Sequence, residues 1–268
     1  MSGPILQRQS TAFGMLEVVT SNLTTHHFPR HFHENFPFGV VERGVLGFNY
    51  RGAKLAAWQG TINLANPGEV HDGYPLAGGG WQYRMFYVDC RFVRAAMDMN
   101  SEAEFPWFPG GVIRDAALAK KIARVHRQIQ SGVLSPFAVE SELFLLLQEM
   151  IARHSYRPAP QISRQRHPAA LQSACDLMHD CPNQALSQQT LADACGFSPG
   201  YFVRAFREQY GMTPHQYRLL CRIQYARQQI IKGMPLSDIA LQTGFTDQSH
   251  FSRVFKQFYG YPPGYLTR

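Results

Sequence analysis

The sequence predicts an α+β chain of two domains. A strand-rich N-terminal β-barrel with two following helices precedes an all-α domain that carries two helix-turn-helix motifs. Three observations lead there. Short runs rich in β-branched and aromatic residues, broken by Gly, Pro and Asn, fill the chain to about residue 94. Two helical patterns follow, ahead of a Pro- and Arg-rich stretch. Beyond that stretch every element reads as helix, and one segment occurs twice.

The strand signals are FGVVERG (38–44), LGFNYRG (46–52), GTINLAN (60–66) and YRMFYVD (83–89), with a loop over Ala77–Gly80. Short strands at this spacing suit a small barrel or sandwich. Asp115–Gln130 is a charged amphipathic run. Ser135–His154 opens on a capping serine, with Pro136 at the first helical position. Inside it Val139, Leu143, Leu146 and Met150 recur at spacings of four, three and four. Such a seam either packs on the barrel or pairs with a second copy of the chain as a homodimer. The expected boundaries are 1–155 for the first domain, 156–166 for a linker (YRPAPQISRQR) and 167–268 for the second.

Composition narrows the class. A hydrophobic fraction of 45% with 17% charged residues describes an ordinary globular chain. With no apolar run long enough to span a bilayer, no membrane association is expected. The first residues, MSGPILQRQSTAFG, lack a basic region ahead of an apolar core, so a cytoplasmic location is expected. Five scattered cysteines without a CxxC pair suggest neither a zinc site nor a disulfide framework. Charge is unevenly placed: residues 1–155 hold 14 Lys/Arg against 13 Asp/Glu, and residues 156–268 hold 12 against 6. The excess positive charge therefore sits in the all-α half, as a nucleic-acid-binding domain requires.

The repeat carries the functional argument. LADACGFSPGYFVRAFREQYGMTP (191–214) recurs as IALQTGFTDQSHFSRVFKQFYGYPP (239–263). In each copy a short helix (Gln188–Ala194; Ser237–Thr243) stops at a glycine, a Phe turns into the core, and Ser198 or Thr246 caps the next helix. Phe202 and Phe206, or Phe251 and Phe255, form a buried stripe, leaving a polar face opposite. A long helix over Pro214–Lys232 joins the copies. Short helix, glycine turn and polar-faced second helix make a helix-turn-helix suited to a major groove.

These residues resemble the DNA-binding domain of the AraC/XylS family of transcription regulators over Leu171–Tyr265, most specifically in DIALQTGFTDQSHFSRVFKQFYGYPPGY (238–265). The resemblance implies seven helices, with two recognition helices in successive major grooves about 34 Å apart. It implies base-facing Gly200, Val203 and Arg204 in the first helix, and Gln248, Ser249, His250, Ser252 and Arg253 in the second. Arg204 and Arg253 suit bidentate contacts to guanine and Gln248 to adenine, while Arg207, Lys256 and the linker arginines suit phosphates. Gly200 is smaller than the residue often found there, so the first helix is expected to read fewer bases. RNA polymerase is an implied partner, and the family tilts toward activation.

PRHFHENFPFGVVERG (29–44) and GTINLANPGEVHDG (60–73) resemble the two motifs of cupin barrels, the effector-sensing domain common in this family. An effector pocket is expected from His31, His33, Glu42, Asn66, His71, Trp81 and Tyr83, with aromatic walls and a few polar groups to orient a small molecule. Residues before Thr24 are expected as a ligand-responsive or disordered arm. A metal-binding cupin would add a Glu where Pro37 falls; His31, His33 and His71 alone remain as a metal-holding alternative. Family members usually bind an organic effector without metal, so no cofactor is expected. The chain reads as a regulator rather than an enzyme. A cupin metalloenzyme with a DNA-binding appendage and a constitutive DNA-binding protein without an effector are the alternatives.

Overall fold

The structure, a computed structural model, describes residues 4–97, 105–156, 168–182, 184 and 186–267. It divides into two units, residues 1–27 with 32–161 and residues 28–31 with 162–268. The strands are β1 (Ile5–Thr11), β2 (Gly14–Leu23), β3 (Phe28–His31), β4 (Phe36–Tyr50), β5 (Ala53–Trp58), β6 (Ile62–Leu64), β7 (His71–Pro75), β8 (Trp81–Val88) and β9 (Val112–Ile113). A helix α1 (Cys90–Ala96) follows β8, and α2 (Ala116–Gln130) and α3 (Pro136–His154) follow β9.

One long strand organises the sheet. The first part of β4 pairs antiparallel with β8 and β6, and its second part pairs with β5 and β7. The two strand signals at 38–44 and 46–52 are therefore a single strand. Gly44, at φ 71°, bends the strand near a register shift at Val41/Arg43 instead of ending it. Residues 5–23 are not an arm. β1 and β2 form a hairpin, and β2 runs along β8 from Leu16↔Val88 to Leu23↔Trp81. Alternation explains this, because β2 delivers Leu16 and Val18, both fully buried, to the core.

That core lies between the sheet and the two helices. Phe36, Phe38, Val40 and Phe86 meet Ile122, Val125 and Ile129 of α2 and Leu143, Leu146 and Met150 of α3. Asp115 caps α2 by accepting from the Leu118 amide at 3.0 Å, and Ser135 caps α3 from Ala138 at 3.3 Å. The seam Val139, Leu143, Leu146 and Met150 is no more than 2% exposed, so it is consumed inside its own domain. Each of these side chains contributes about 1.5–3 kcal/mol by leaving water. The apolar groups α3 leaves outside are Phe137, 79% exposed, and Leu145, 56% exposed.

The second unit is helical: α4 (Pro168–Asp180), α5 (Gln188–Ala194), α6 (Pro199–Tyr210), α7 (Pro214–Ile231), α8 (Leu236–Gln242) and α9 (Gln248–Tyr259). With a closing 3-10 turn at Pro263–Tyr265, the described residues hold seven helical segments here. α5 and α6 form one helix-turn-helix, α8 and α9 the other, and α7 joins them. Gly196 and Gly244 take φ of 68° and 69°, the left-handed conformation that stops a helix at no Cβ cost. Phe202, Phe206, Phe251 and Phe255 are all fully buried. No helix among the described residues is long and apolar enough to cross a membrane.

Candidate functional site

The two copies share a fold but start their second helices differently. Ser198 occupies the cap position of α6, but its side chain makes no capping bond. In the second copy the cap is Asp247, not Thr246: its carboxylate accepts from the His250 amide at 2.7 Å. Thr246 instead bonds the His250 ring, Oγ1 to Nδ1 at 3.2 Å, while Phe245 meets that ring edge-on at 5.3 Å. His250 is thereby oriented at the first turn of α9.

Outward from these buried stripes, Gly200, Arg204 and Arg207 of α6 are exposed, as are Gln248, Ser249, Arg253 and Lys256 of α9. Val203, His250 and Ser252 are half-buried. Among the described residues, Arg204, Arg207, Arg253 and Lys256 enter no ion pair. Their charge is not neutralised within the fold, which leaves it available to a polyanion. Not every cation of this half is available. Arg218 donates to the Leu186 carbonyl at 2.9 Å, and Arg222 donates to the Thr243 carbonyl while stacking on Phe245 at 4.4 Å. Sequence reasoning counted both with the basic excess, whereas the fold uses them to brace the helix-turn-helix units. The linker arginines Arg157, Arg164 and Arg166 lie outside the described residues.

The expected effector residues do not converge on one site. His33 and His71 come together in the first unit, while His31 belongs to the second. The Nδ1 of His31 is 2.8 Å from the Pro29 carbonyl, and that of His71 is 2.9 Å from the Glu69 carbonyl. A carbonyl only accepts, so each Nδ1 carries its proton and each Nε2 keeps a lone pair in the neutral ring. Burial lowers the His71 pKa below the usual histidine range, which keeps that ring neutral at pH 7. The His33 ring lies 5.1 Å from His71 and 5.2 Å from Tyr87. Tyr87 was missed in sequence, although alternation along β8 sets it in line with Trp81 and Tyr83. Those two stack on one another at 6.3 Å.

Glu42 and Asn66 serve elsewhere. The Glu42 carboxylate accepts from Arg84 at 2.7 Å, from Arg127 of α2 at 3.1 Å and from Gln82 at 3.4 Å. Its partners thus lie on β8 and α2, not among the histidines. The Asn66 amide donates to Tyr50 at 3.0 Å, to Glu69 at 3.0 Å and to the Phe108 carbonyl at 2.9 Å, and its oxygen accepts the Phe108 amide at 3.0 Å. Asn66 is a buried staple between two loops.

A sheet domain with a polar, aromatic-lined cluster, followed by two helix-turn-helix units with exposed cations, defines a ligand-binding transcriptional regulator. Residues 13–147 match the model of the AraC-like ligand binding domain, and residues 191–268 match that of a helix-turn-helix domain. The chain belongs to the AraC family of transcriptional regulators. It is 27% identical over 225 residues to the regulator YbfI of Bacillus subtilis (strain 168), covering 83% of this chain and 81% of that one. With the transcriptional activator RhaS of Escherichia coli (strain SMS-3-5 / SECEC) it shares 21% over 244 residues, 88% of this chain and 86% of the other. Among solved structures, an apo ToxT variant from Vibrio cholerae strain SCE256 superposes with a TM-score of 0.62 at 13% identity, covering 97% and 98% of the two chains. Wild-type ToxT of the same strain, solved with an unsaturated fatty acid, gives 0.54 at 14% identity and 97% coverage of both. At such identities the likeness to ToxT is one of fold.

Proposed function

We propose that this regulator is a cytoplasmic activator that reads DNA through α6 and α9 and is switched by a small organic effector in its N-terminal domain. Domain limits of 1–155 and 167–268 with a linker at 156–166 go with this reading. The observation that carries it is the pair of recognition helices, each presenting two exposed cations with no ion-pair partner among the described residues. Arg204 and Arg253 read guanine, Gln248 reads adenine, and Arg207 and Lys256 hold phosphates. Gly200, Val203, Ser249, His250 and Ser252 complete the groove-facing surface. RNA polymerase is the partner that activation requires, and the relative RhaS is named an activator. The chain itself performs no catalysis in this reading.

The effector binds beside His33, His71, Trp81, Tyr83 and Tyr87. A chain of contacts supports communication from there. The Glu69 carbonyl holds His71, and the Glu69 carboxylate holds Tyr50 and, at 2.6 Å, Arg51. Arg51 lies over the Trp107 ring at 4.3 Å, and the Trp107 backbone pairs with Tyr156 at 2.9 and 3.4 Å, just before the expected linker. An effector acts only through its differential affinity for two arrangements of such a chain. Dimerisation through α3 would use Phe137 and Leu145, since the heptad-like seam is buried. Phe137→Glu with Leu145→Glu then gives monomers in sedimentation, and an unchanged dimer assigns that contact to another surface.

The direct test is selection of bound genomic fragments by the purified protein at stated salt. Two half-elements one helical turn apart are expected. Arg253→Ala should weaken specific binding by ~1–3 kcal/mol and relax one base position. Equal weakening on specific and nonspecific DNA would make Arg253 a phosphate contact.

A further inference from the structure

We propose that a cleft at the C-terminal end of α3 is a second ligand site, for a small carboxylate with an apolar body. The cleft has a volume of about 520 Å³, within the roughly 300–1,000 Å³ of small-molecule sites. It lies wholly in the first unit, and its wall from Arg153 to Tyr156 falls beyond residues 13–147, which match the AraC-like ligand binding domain. It shares no residue with the cluster of His33, His71, Trp81, Tyr83 and Tyr87. Each wall is fixed from behind. The Phe108 backbone exchanges two hydrogen bonds with Asn66, at 2.9 and 3.0 Å. β9 pairs with β6 at Ile62↔Ile113, and the Gly111 carbonyl accepts from the Leu64 amide at 3.0 Å. At the end of α3, Tyr156 pairs with Trp107, and the Asp115 carboxylate accepts from Arg153 at 2.7 Å and His154 at 2.8 Å. The cleft is therefore built before any ligand arrives.

Charge complementarity selects the occupant. Among the described residues the lining holds two guanidiniums, Arg114 and Arg153, and no carboxylate. Arg153 is already matched by Asp115 and Glu149, at 2.7 and 3.0 Å, and it offsets the partial negative charge at the end of α3. Arg114 is exposed and enters no ion pair among the described residues. Its planar fork suits a carboxylate, which it can hold through two parallel hydrogen bonds. Val112 and Ile113 are half-buried and Tyr156 is 63% exposed, so all three keep apolar surface for a ligand. A carboxylate that carries rings or an alkyl chain covers that surface while its charge meets Arg114. Inorganic phosphate answers the charge alone and leaves the apolar wall wet. Tyr156 is also the residue at which the expected linker begins, so a ligand here bears on the start of that segment. The inference goes beyond the proposed effector reading and does not rest on it.

The test titrates the full-length protein calorimetrically with 2-naphthoate and, separately, with 2-naphthamide, which has the same rings and no charge. The expected result is one naphthoate per chain, bound about tenfold more tightly than the amide, as a charge-assisted pair of hydrogen bonds requires. Arg114→Gln should remove that advantage, and Tyr156→Ser should weaken both probes, with circular dichroism unchanged in each. Lys120→Gln, which alters an exposed cation of α2 outside the lining, and His33→Gln, in the other cluster, should leave the titration as in the parent. Equal affinity for the two probes, naphthoate binding that survives Arg114→Gln, binding lost in His33→Gln, or no saturable binding by the folded parent protein overturns the proposal. Selection of DNA fragments by ligand-free protein tests the regulator reading separately, because the recognition helices lie in the other unit.

Discussion

Replacing Glu42 by Ala removes the acceptor shared by Arg84 and Arg127, and the structure sets the size of the loss. The Arg84 and Glu42 side chains are 15% and 20% exposed, so their charges are mostly withdrawn from water. Without Glu42, the Arg84 guanidinium keeps two neutral acceptors, Thr20 and Gln130, each at 3.1 Å. Breaking a fully buried pair by removing one partner costs about 3–5 kcal/mol; partial exposure and the two remaining acceptors bring the expected loss to about 2–3 kcal/mol. The pair itself adds less than this, because a well-packed apolar replacement avoids the desolvation of both ions. Glu42→Met with Arg84→Met should therefore recover at least half the loss of Glu42→Met alone. Urea unfolding followed by tryptophan fluorescence is the assay. Trp58, Trp81 and Trp107 all lie in the first unit and report it alone. The midpoint should fall with the slope unchanged. A loss below about 0.5 kcal/mol, or single effects that add without coupling, would refute the reasoning by making the cluster an ordinary surface pair.

Two further outcomes are expected. His126 is fully buried, and burial together with the Arg84 charge lowers its pKa to about 3. Because the unfolded ring titrates near 6.5, the unfolded chain binds the extra proton between those values. Stability is thus full above about pH 6.5 and falls as pH drops toward 3, by up to about 1.4 kcal/mol per unit. Urea midpoints at pH 7 and pH 5 measure this, and a His126→Gln variant that keeps the same slope would exclude His126 as the cause. In the helical unit, Asp247→Ala should cost about 1 kcal/mol by removing a formed cap, whereas Ser198→Ala, which removes no capping bond, should cost less than half of that. Equal losses in thermal unfolding would mean that the cap geometry does not govern stability here.

The duplicated helix-turn-helix was legible in sequence because its determinants are local. A glycine that must take positive φ, a capping position and a Phe pair four residues apart all act within one or two turns, so Gly196, Phe202 and Phe206 repeat as Gly244, Phe251 and Phe255. The outward positions of Arg204 and Arg253 followed from that stripe by helical period alone. Tertiary structure decided what depends on partners far along the chain. Gly44 reads as a break, but β4 continues through it because β8 and β6 supply ladder bonds on one side of the bend and β5 and β7 on the other. The α3 seam has the period of an interface between chains, and only the arrival of α2 and the sheet shows that it is already covered. Glu42 stands in a pocket motif by sequence, yet its partners Arg84 and Arg127 are 42 and 85 residues away. Local backbone preferences can be read from neighbours, whereas a half-buried charge takes whichever opposite charge the fold brings within reach.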